Sequence, residues 1–534
     1  EVVYGAIAEY FGKEKLKEIY PDSLGDFPTV SEGLKSVFDS VLINENLIRT
    51  LLGFNSPHFG SNSWVLSGQK TKNKKPILAN DPHLEFTQPA RWYEMHLKGG
   101  SYNTSGVCIA GIPLPVIGNN NICAWGFTNS MVDDLDFFIE TINKEDPNKY
   151  LHNNKWKRIK HITETISIKN KKDTTIVIKK THHGPIISDI HPILKDEDNV
   201  VSFSWVGHEE TKEMKAFLGL NRMKSWEDFS KAVKNFSVPG QNIIYADTMG
   251  NIGWRPAVYI PIRKEGKSLI PRIGKDPTYD WKGYVPYNEM PFLFNPEKEY
   301  IFTANNKTID GDFPYYISGL WADPSRAQRI EELIIPIKEG TIQDMKNIQT
   351  DLVSPFAKDI LPYLFKYDIN KEEKEAVKYF NLLKEWNGNE EENSIEALIF
   401  HSIVLSLAKN IYGDELSLLG KNYLDSFLGL KYLYTRNLRK TLREGTSSWF
   451  DNIETRNIVE NNHTIIRKSI IDGIKYVIKK YGDKKENLQW GKAHSLTHNH
   501  LLGKIKTLNK IFKFNVGPFK SGGSDKTIRA GGFN

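Results

Sequence analysis

Between Ser61 and about Leu320 the apolar residues fall in short strand-like runs, whereas on either side they recur at helical spacing. On the N-terminal side Ala6, Ile7, Tyr10 and Phe11 share a helical face, as do Leu34, Val37, Phe38 and Val41, through about residue 52. The middle reads as strands and turns: "WVLSG", "NICAWGFTN", "TTIVIKKTHHGPIIS", "VVSFSW" and "NIIYADTMGNIGW". Helices return from about Trp321 to Lys480, and the last segment, from "LQWGKAHSLTHNH" on, is again strand- and Gly-rich. A large sheet region bracketed by helices demands mixed α and β layers over a shared core. Within it, residues 155–180 alternate apolar residues with Lys around "NKKD", which predicts a solvent-exposed hairpin with lysine-protected edges.

Composition narrows the function. The 534 residues are 39% hydrophobic and 25% charged, as in an ordinary globular protein. A net charge of +6 with its 71 Lys and Arg dispersed excludes nucleic acid as the expected partner. No apolar run approaches the roughly 18 residues of a membrane span, so no membrane partner is expected. The 12 Trp suit a large β core better than a saccharide-binding surface. Cys108 and Cys123 are the only cysteines; they form either one bridge in an oxidising compartment or two buried thiols. The chain opens without Met on what reads as an amphipathic helix rather than a signal peptide, and is expected to be a piece of a longer precursor.

The stretch "NSPHFGSNSWVLSGQK", Asn55 to Lys70, combines Gly-Ser with an apolar strand start. A linker accounts for Gly and Ser but not for the Trp64, Val65 and Leu66 that follow. Cleavage at Gly60–Ser61 would turn Ser61 into an amino terminus. A serine hydroxyl needs a base within reach, and its own α-amine, with an ordinary pKa of about 7.7–8.0, would supply one. Acyl transfer also needs donors for an oxyanion. The stretches "WGFTNS" and "PGQNIIYAD" offer a backbone N–H near Asn129 and the side-chain amide of Asn242. Singly, each of these residues is also an ordinary turn residue.

Together and in this order they resemble the penicillin acylase family of N-terminal nucleophile hydrolases. The likeness begins at "GSNSW" and continues through "ILANDPHLEF", "GIPLPVIGNNNICAWGFTNSMVDDLDFF", "HGPIIS", "QNIIYADTMGNIGW", "YIPIR", "TANNKT", "YYISGLWADPSRAQRIEEL", "IQTDLVS" and "GGSDKTIRAGG". It implies an α+β fold, a four-layer αββα sandwich with a helical insertion. Residues 1–60 would end the α subunit and carry the processing linker, and 61–320 would form the nucleophile sheet core. Residues 321–480 would be helical, and 481–534 would return to the sheet core.

The resemblance also implies roles. Ser61 would be the nucleophile, the Asn129 N–H and Asn242 amide the oxyanion donors, and Arg263 of "YIPIR" a guide for Asn242 or the substrate. His83, 22 positions after Ser61, matches the histidine of the cephalosporin- and lactone-acylase branch that bonds the nucleophile's amine. Much of the acyl pocket, and the carboxylate that supports this histidine, are expected in segments outside the chain. Asp133, Leu135 and Asp136 of "DDLD" match a structural calcium site in one branch; other branches keep the acids without metal. No cofactor is required. The implied partner is a small-molecule N-acyl amide, such as a penicillin or cephalosporin with its side chain or an N-acyl homoserine lactone. The implied assembly is an α/β heterodimer cut from one precursor, located in the periplasm or outside the cell. The rival expectations are a catalytically silent relative that binds acyl or peptidic ligands, and a carbohydrate-binding surface protein.

Overall fold

The computed structural model describes residues 2–19, 60–188, 200–264, 270–309, 313–319, 321–429 and 431–530. The predicted helical face Leu34–Val41 lies outside the described residues.

The period-2 pattern of the strand Gly60–Leu66 generates two layers at once. Trp64 and Leu66 point one way and pack with Ile330, Ile334, Met345 and Ile348 of the helices Ser325–Ile334 and Ile342–Gln349. Val65, between them, points the other way and packs with Ile244, Ile252, Trp254 and Ile301. The first direction leads to a helical layer, the second to another sheet. Each such apolar side chain contributes about 1.5–3 kcal/mol when fully buried.

The strand Gly60–Leu66 is the centre of a three-stranded sheet, between Tyr300–Thr303 and Ile77–His83. The facing sheet has seven antiparallel strands, with Gln241–Asp247, Cys123–Asn129 and Ile117–Asn120 near its middle. Its outer face carries Trp125, Phe127 and Tyr245, which pack with Phe217 and Leu220 of the helix Glu213–Leu220 and Phe229 of Trp226–Val233. The order is therefore helix, sheet, sheet, helix: the expected αββα sandwich. Close approach between the sheets falls at Gly126, where a Cβ would lie 2.8 Å from Ser63 Oγ.

The helical region is organised around Ile395–Leu419, whose N-terminus is capped by Ser394 Oγ accepting from Ala397 N at 3.0 Å. Asn462–Tyr481 packs against it through Gly473, where a Cβ would stand 2.7 Å from Ile403 Cα. This corrects one expectation. Ile395–Leu419 is long and apolar enough to cross a bilayer. Its Ile399, Phe400, Ile403, Leu407 and Ile411 are instead buried in the largest apolar cluster of the described residues. The N-terminal helix Val2–Ile19 joins the same cluster through Tyr4, Ile7, Leu16 and Ile19.

Three further elements bear on the sequence expectations. Lys160–Ile166 and Thr174–Lys180 pair as an exposed two-stranded hairpin, shorter than the predicted 155–180 because Lys155–Arg158 pairs back onto Lys149–His152. Ser495–His500 and Val516–Lys520 join Thr87–Gln88 in a separate small sheet rather than rejoining the core sheets. The residues after them return to the core, where Ile528 packs beside Trp64. Cys108 and Cys123 are both buried and free, and Cys123 Sγ lies 3.7 Å from Tyr245 Oη.

Candidate active site

Antiparallel pairing of Gly60–Leu66 with Ile77–His83 sets Gly60 opposite His83 and Ser61 opposite Pro82. Ser61 is buried, and its Oγ donates to the carbonyl oxygen of Gly60 at 2.6 Å. The hydroxyl thus lies against the peptide bond that processing would cut. The Ser61 N–H donates to Asn305 Oδ1 at 2.7 Å. Arg326, on the helix that covers Trp64, donates to Asn305 Oδ1 at 3.0 Å, to Ser61 O at 2.9 Å and to Asn62 Oδ1 at 2.7 Å. Burial presses the Arg326 guanidinium down to about 10, which leaves it charged at neutral pH. One arginine therefore fixes both the first residues of the strand and the carboxamide beside them.

Asp81 and His83 alternate onto the same face of their strand, and His83 Nε2 lies 2.7 Å from Asp81 Oδ2. The carboxylate places the proton on Nε2 and the lone pair on Nδ1. Among the described residues Nδ1 is buried without a partner. A Cβ on Gly60 would lie 3.3 Å from His83 Nδ1 and 3.3 Å from Arg326 Nη2, so the missing side chain is what lets the imidazole and guanidinium close on the junction. Burial alone would raise the Asp81 carboxyl, but His83 and the Asn62 amide hold it below the usual carboxylate range. The chain itself thus supplies an acid, Asp81, beside His83.

Asn129 and Asn242 lie on neighbouring strands behind this point. Asn242 Nδ2 donates to Thr128 Oγ1 at 3.2 Å and Asn129 O at 3.4 Å, while Trp254 Nε1 donates to its Oδ1 at 3.1 Å. Asn305 Nδ2 also reaches Asn129 O, at 2.8 Å. The carboxamide in contact with Ser61 is therefore Asn305, and Asn242 stands one step back, locked by Trp254.

Ser61, Gly60 and Asn129 line a cavity of about 830 Å³ whose wall includes Ile109, Val116, Phe127, Phe217 and Phe236. This cavity is lined by the described strands and by the Glu213–Leu220 helix. One carboxyl at its edge, Asp134, is pushed up to about 6 by burial.

Arg263 is not at Asn242. Its Nε donates to Asp136 Oδ2 at 2.8 Å, and its Nη2 to Asp133 O at 3.0 Å and Asp133 Oδ1 at 3.3 Å. Arg272 Nε approaches Asp136 Oδ1 at 3.6 Å, and the Trp281 indole N–H also donates to Asp136. The carboxylates matched to calcium therefore already face guanidinium groups. Burial drives the Asp133 carboxyl up to about 7 against the pull of Arg263, with Asp136 adding repulsion. The Arg263–Asp136 contact, at 2.8 Å, is tighter than the 3.3 Å contact of Arg263 with the Asp133 carboxyl. The cation here is a buried arginine, and Asp133, Leu135 and Asp136 do not fit calcium.

Sequence reasoning missed Asn305, Arg326 and Asp81 as site residues. The first two stand in the quoted "TANNKT" and "ADPSRAQRIEEL", and the third in "NDPHL", two residues from His83.

An αββα sandwich with a serine at the head of a central strand, at the mouth of a cavity, defines the N-terminal nucleophile hydrolase fold. The thermostable penicillin G acylase from Alcaligenes faecalis shares that fold, with a TM-score of 0.64 over 80% of both chains at 18% identity. The penicillin amidase family model matches residues 1–534, and the chain belongs to that family. It is 27% identical over 457 residues to the acyl-homoserine lactone acylase QuiP of Pseudomonas aeruginosa, covering 82% of this chain and 54% of the relative. It is 30% identical over 283 residues to the penicillin G acylase of Escherichia coli, covering 51% of this chain and 32% of the relative. The chain spans about half the length of the lactone acylases it matches.

Proposed function

We propose that this chain is the catalytic portion of an acylase that hydrolyses N-acyl amides through an acyl-enzyme on Ser61, after self-cleavage at Gly60–Ser61. The observation that carries the reading is the 2.6 Å contact from Ser61 Oγ to the Gly60 carbonyl at the mouth of an apolar cavity.

Self-cleavage begins with attack of Oγ on the Gly60 carbonyl carbon. An ester forms as the C–N bond breaks, and the departing nitrogen takes up a proton, relayed in this reading from Ser61 Oγ by His83 Nδ1. Water then hydrolyses the ester, leaving a Gly60 carboxylate and a free Ser61 amine. The same amine takes the Ser61 Oγ proton when the hydroxyl attacks a substrate amide. Asn305 Nδ2 and the Asn129 N–H are the proposed oxyanion donors, each worth about 2.7–4 kcal/mol if well aligned. The amine product leaves carrying the proton, and water releases the acid by the reverse route. No cofactor enters. The aliphatic and aromatic wall selects an apolar acyl chain, in keeping with relatives named as lactone and penicillin G acylases.

The test is denaturing intact-mass measurement of the full precursor beside its Ser61→Ala variant, followed by turnover of a chromogenic acyl anilide. Two pieces meeting at Gly60–Ser61 in the parent alone, with turnover, are expected. An uncut parent, or equal cleavage in the variant, would overturn the mechanism.

A further inference from the structure

Away from Ser61, three histidines close around one carboxylate. His152 ends the strand Lys149–His152, His182 and His183 follow the exposed hairpin, and Asp280 follows the short turn Pro277–Tyr279. Their ligand atoms all lie within 4.8 Å of one another. The Nε2 atoms of His152, His182 and His183 stand 3.3, 3.5 and 3.1 Å from the Asp280 carboxylate oxygens.

The other nitrogen of each ring is also held. His152 Nδ1 lies 3.2 Å from the Gly274 carbonyl, His182 Nδ1 3.2 Å from Tyr150 Oη, and His183 Nδ1 2.9 Å from Glu140 Oε1. Glu140 is in turn fixed by Thr181 Oγ1 and Ser202 Oγ, each at 2.7 Å. Ligating histidines are oriented in this way, with the remote nitrogen bonded to a carboxylate, carbonyl or hydroxyl. A histidine cluster that served packing alone would have no reason to aim every Nε2 at one point.

We propose that His152, His182, His183 and Asp280 form a four-coordinate zinc site. Three imidazoles and one carboxylate suit zinc, whereas calcium and magnesium prefer all-oxygen shells. Tetrahedral bonds of about 2.0–2.1 Å place ligand atoms roughly 3.4 Å apart, close to the separations from Asp280. His152 and His183 are buried while His182 faces solvent, which gives the ion a way in. Four protein ligands leave no open position, so the site is structural. It staples the strand Lys149–His152, the end of the hairpin and the Asp280 turn, segments otherwise far apart in sequence.

The experiment strips the chain of metal by chelation and titrates it with Zn²⁺ against a chromophoric competitor, then with Co²⁺ followed by visible absorption. One tight Zn²⁺ per chain and the intense bands of tetrahedral Co²⁺ are expected. His182→Ala removes the solvent-facing ligand with least risk to folding, and is expected to weaken Zn²⁺ binding at least ~10-fold and abolish those bands. Absence of the tetrahedral Co²⁺ spectrum in the parent would overturn the proposal without recourse to any variant. Equal affinity and spectrum in His182→Ala would overturn it as well. In either case the cluster would be a proton-held network, with His183 shared between Glu140 and Asp280.

Discussion

His83 Nε2 sits 2.7 Å from Asp81 Oδ2, and this one contact decides which nitrogen of the imidazole faces the Gly60–Ser61 junction. With the proton held on Nε2, Nδ1 presents a lone pair beside Gly60. Asp81→Asn keeps the shape but offers an amide N–H to Nε2, which favours the other tautomer. We expect self-cleavage at Gly60–Ser61, followed by intact mass over time, to slow by about 10²–10⁴. Because the Asp81 carboxyl is lowered in the folded chain, its stabilisation is present above its ordinary value of about 3.9 and is lost as pH falls through the folded value. An unchanged rate of self-cleavage in the variant would remove His83 from the mechanism.

Asn305 and Asn242 make opposite predictions. Asn305 touches the Ser61 nitrogen and is gripped by Arg326, so Asn305→Ala is expected to lower kcat by about 10²–10³. Asn242 is buried against Thr128 and Trp254, and Asn242→Ala is expected to cost about 1–3 kcal/mol of stability with kcat held within roughly tenfold. Thermal melts and single-turnover kinetics on both variants separate the roles. If Asn305→Ala stops processing, its effect is read from the rate of self-cleavage instead. The reverse pattern would restore Asn242 to the oxyanion site.

Arg263 supplies the buried cation where the family likeness implied calcium. Replacing it with Met leaves Asp136 with the Trp281 N–H and, as its cation, the more distant Arg272, and is expected to destabilise the fold by about 3–5 kcal/mol. Adding Ca²⁺ to chelator-treated parent protein is expected to leave Tm unchanged. A Ca²⁺-dependent rise in Tm would mean the ion displaces the arginine.

These residues mark how far sequence reading reaches. Ser61 and the layered fold were legible because both rest on local pattern: Gly-Ser before an apolar strand, and the alternation Trp64, Val65, Leu66 that addresses two layers. Asp81 was equally open to that logic, since i and i+2 on a strand share a face and His83 stands two residues on. Asn305 and Arg326 reach Ser61 across 244 and 265 residues, and nothing local distinguishes them from other Asn and Arg. Arg263 was misplaced for the same reason, because an arginine's partner is set by tertiary contacts. The expectation that no apolar run approaches a membrane span failed at Ile395–Leu419, since an apolar helix wrapped by its own protein has the composition of one wrapped by lipid.

Lys15 bears on whether the N-terminal helix would stay with the remainder if Gly60–Ser61 were cut. Its ammonium pairs with the buried Glu415 carboxylate of the central helix, its carbonyl accepts from Trp449 Nε1 at 3.0 Å, and Glu18 accepts from Ser447 Oγ at 2.5 Å. With Tyr4, Ile7, Leu16 and Ile19 buried as well, the N-terminal piece is expected to co-elute with the remainder on size exclusion after Gly60–Ser61 is cut. Burial and Asp414 push the Glu415 carboxyl up to about 8 even with Lys15 beside it. A raised carboxyl favours its neutral form in the folded state, so that contribution is full below its ordinary value of about 4.3 and is lost as pH rises through about 8. Lys15→Met is then tolerable at pH 6, where Glu415 carries its proton. Above pH 8 the variant must keep that proton or bury an unpaired charge, at up to ~1.4 kcal/mol for each further pH unit. Release of the N-terminal piece from Lys15→Met at pH 9 but not at pH 6, with the parent intact at both, is the expected result. Equal retention at both values would mean that the apolar contacts alone hold the helix.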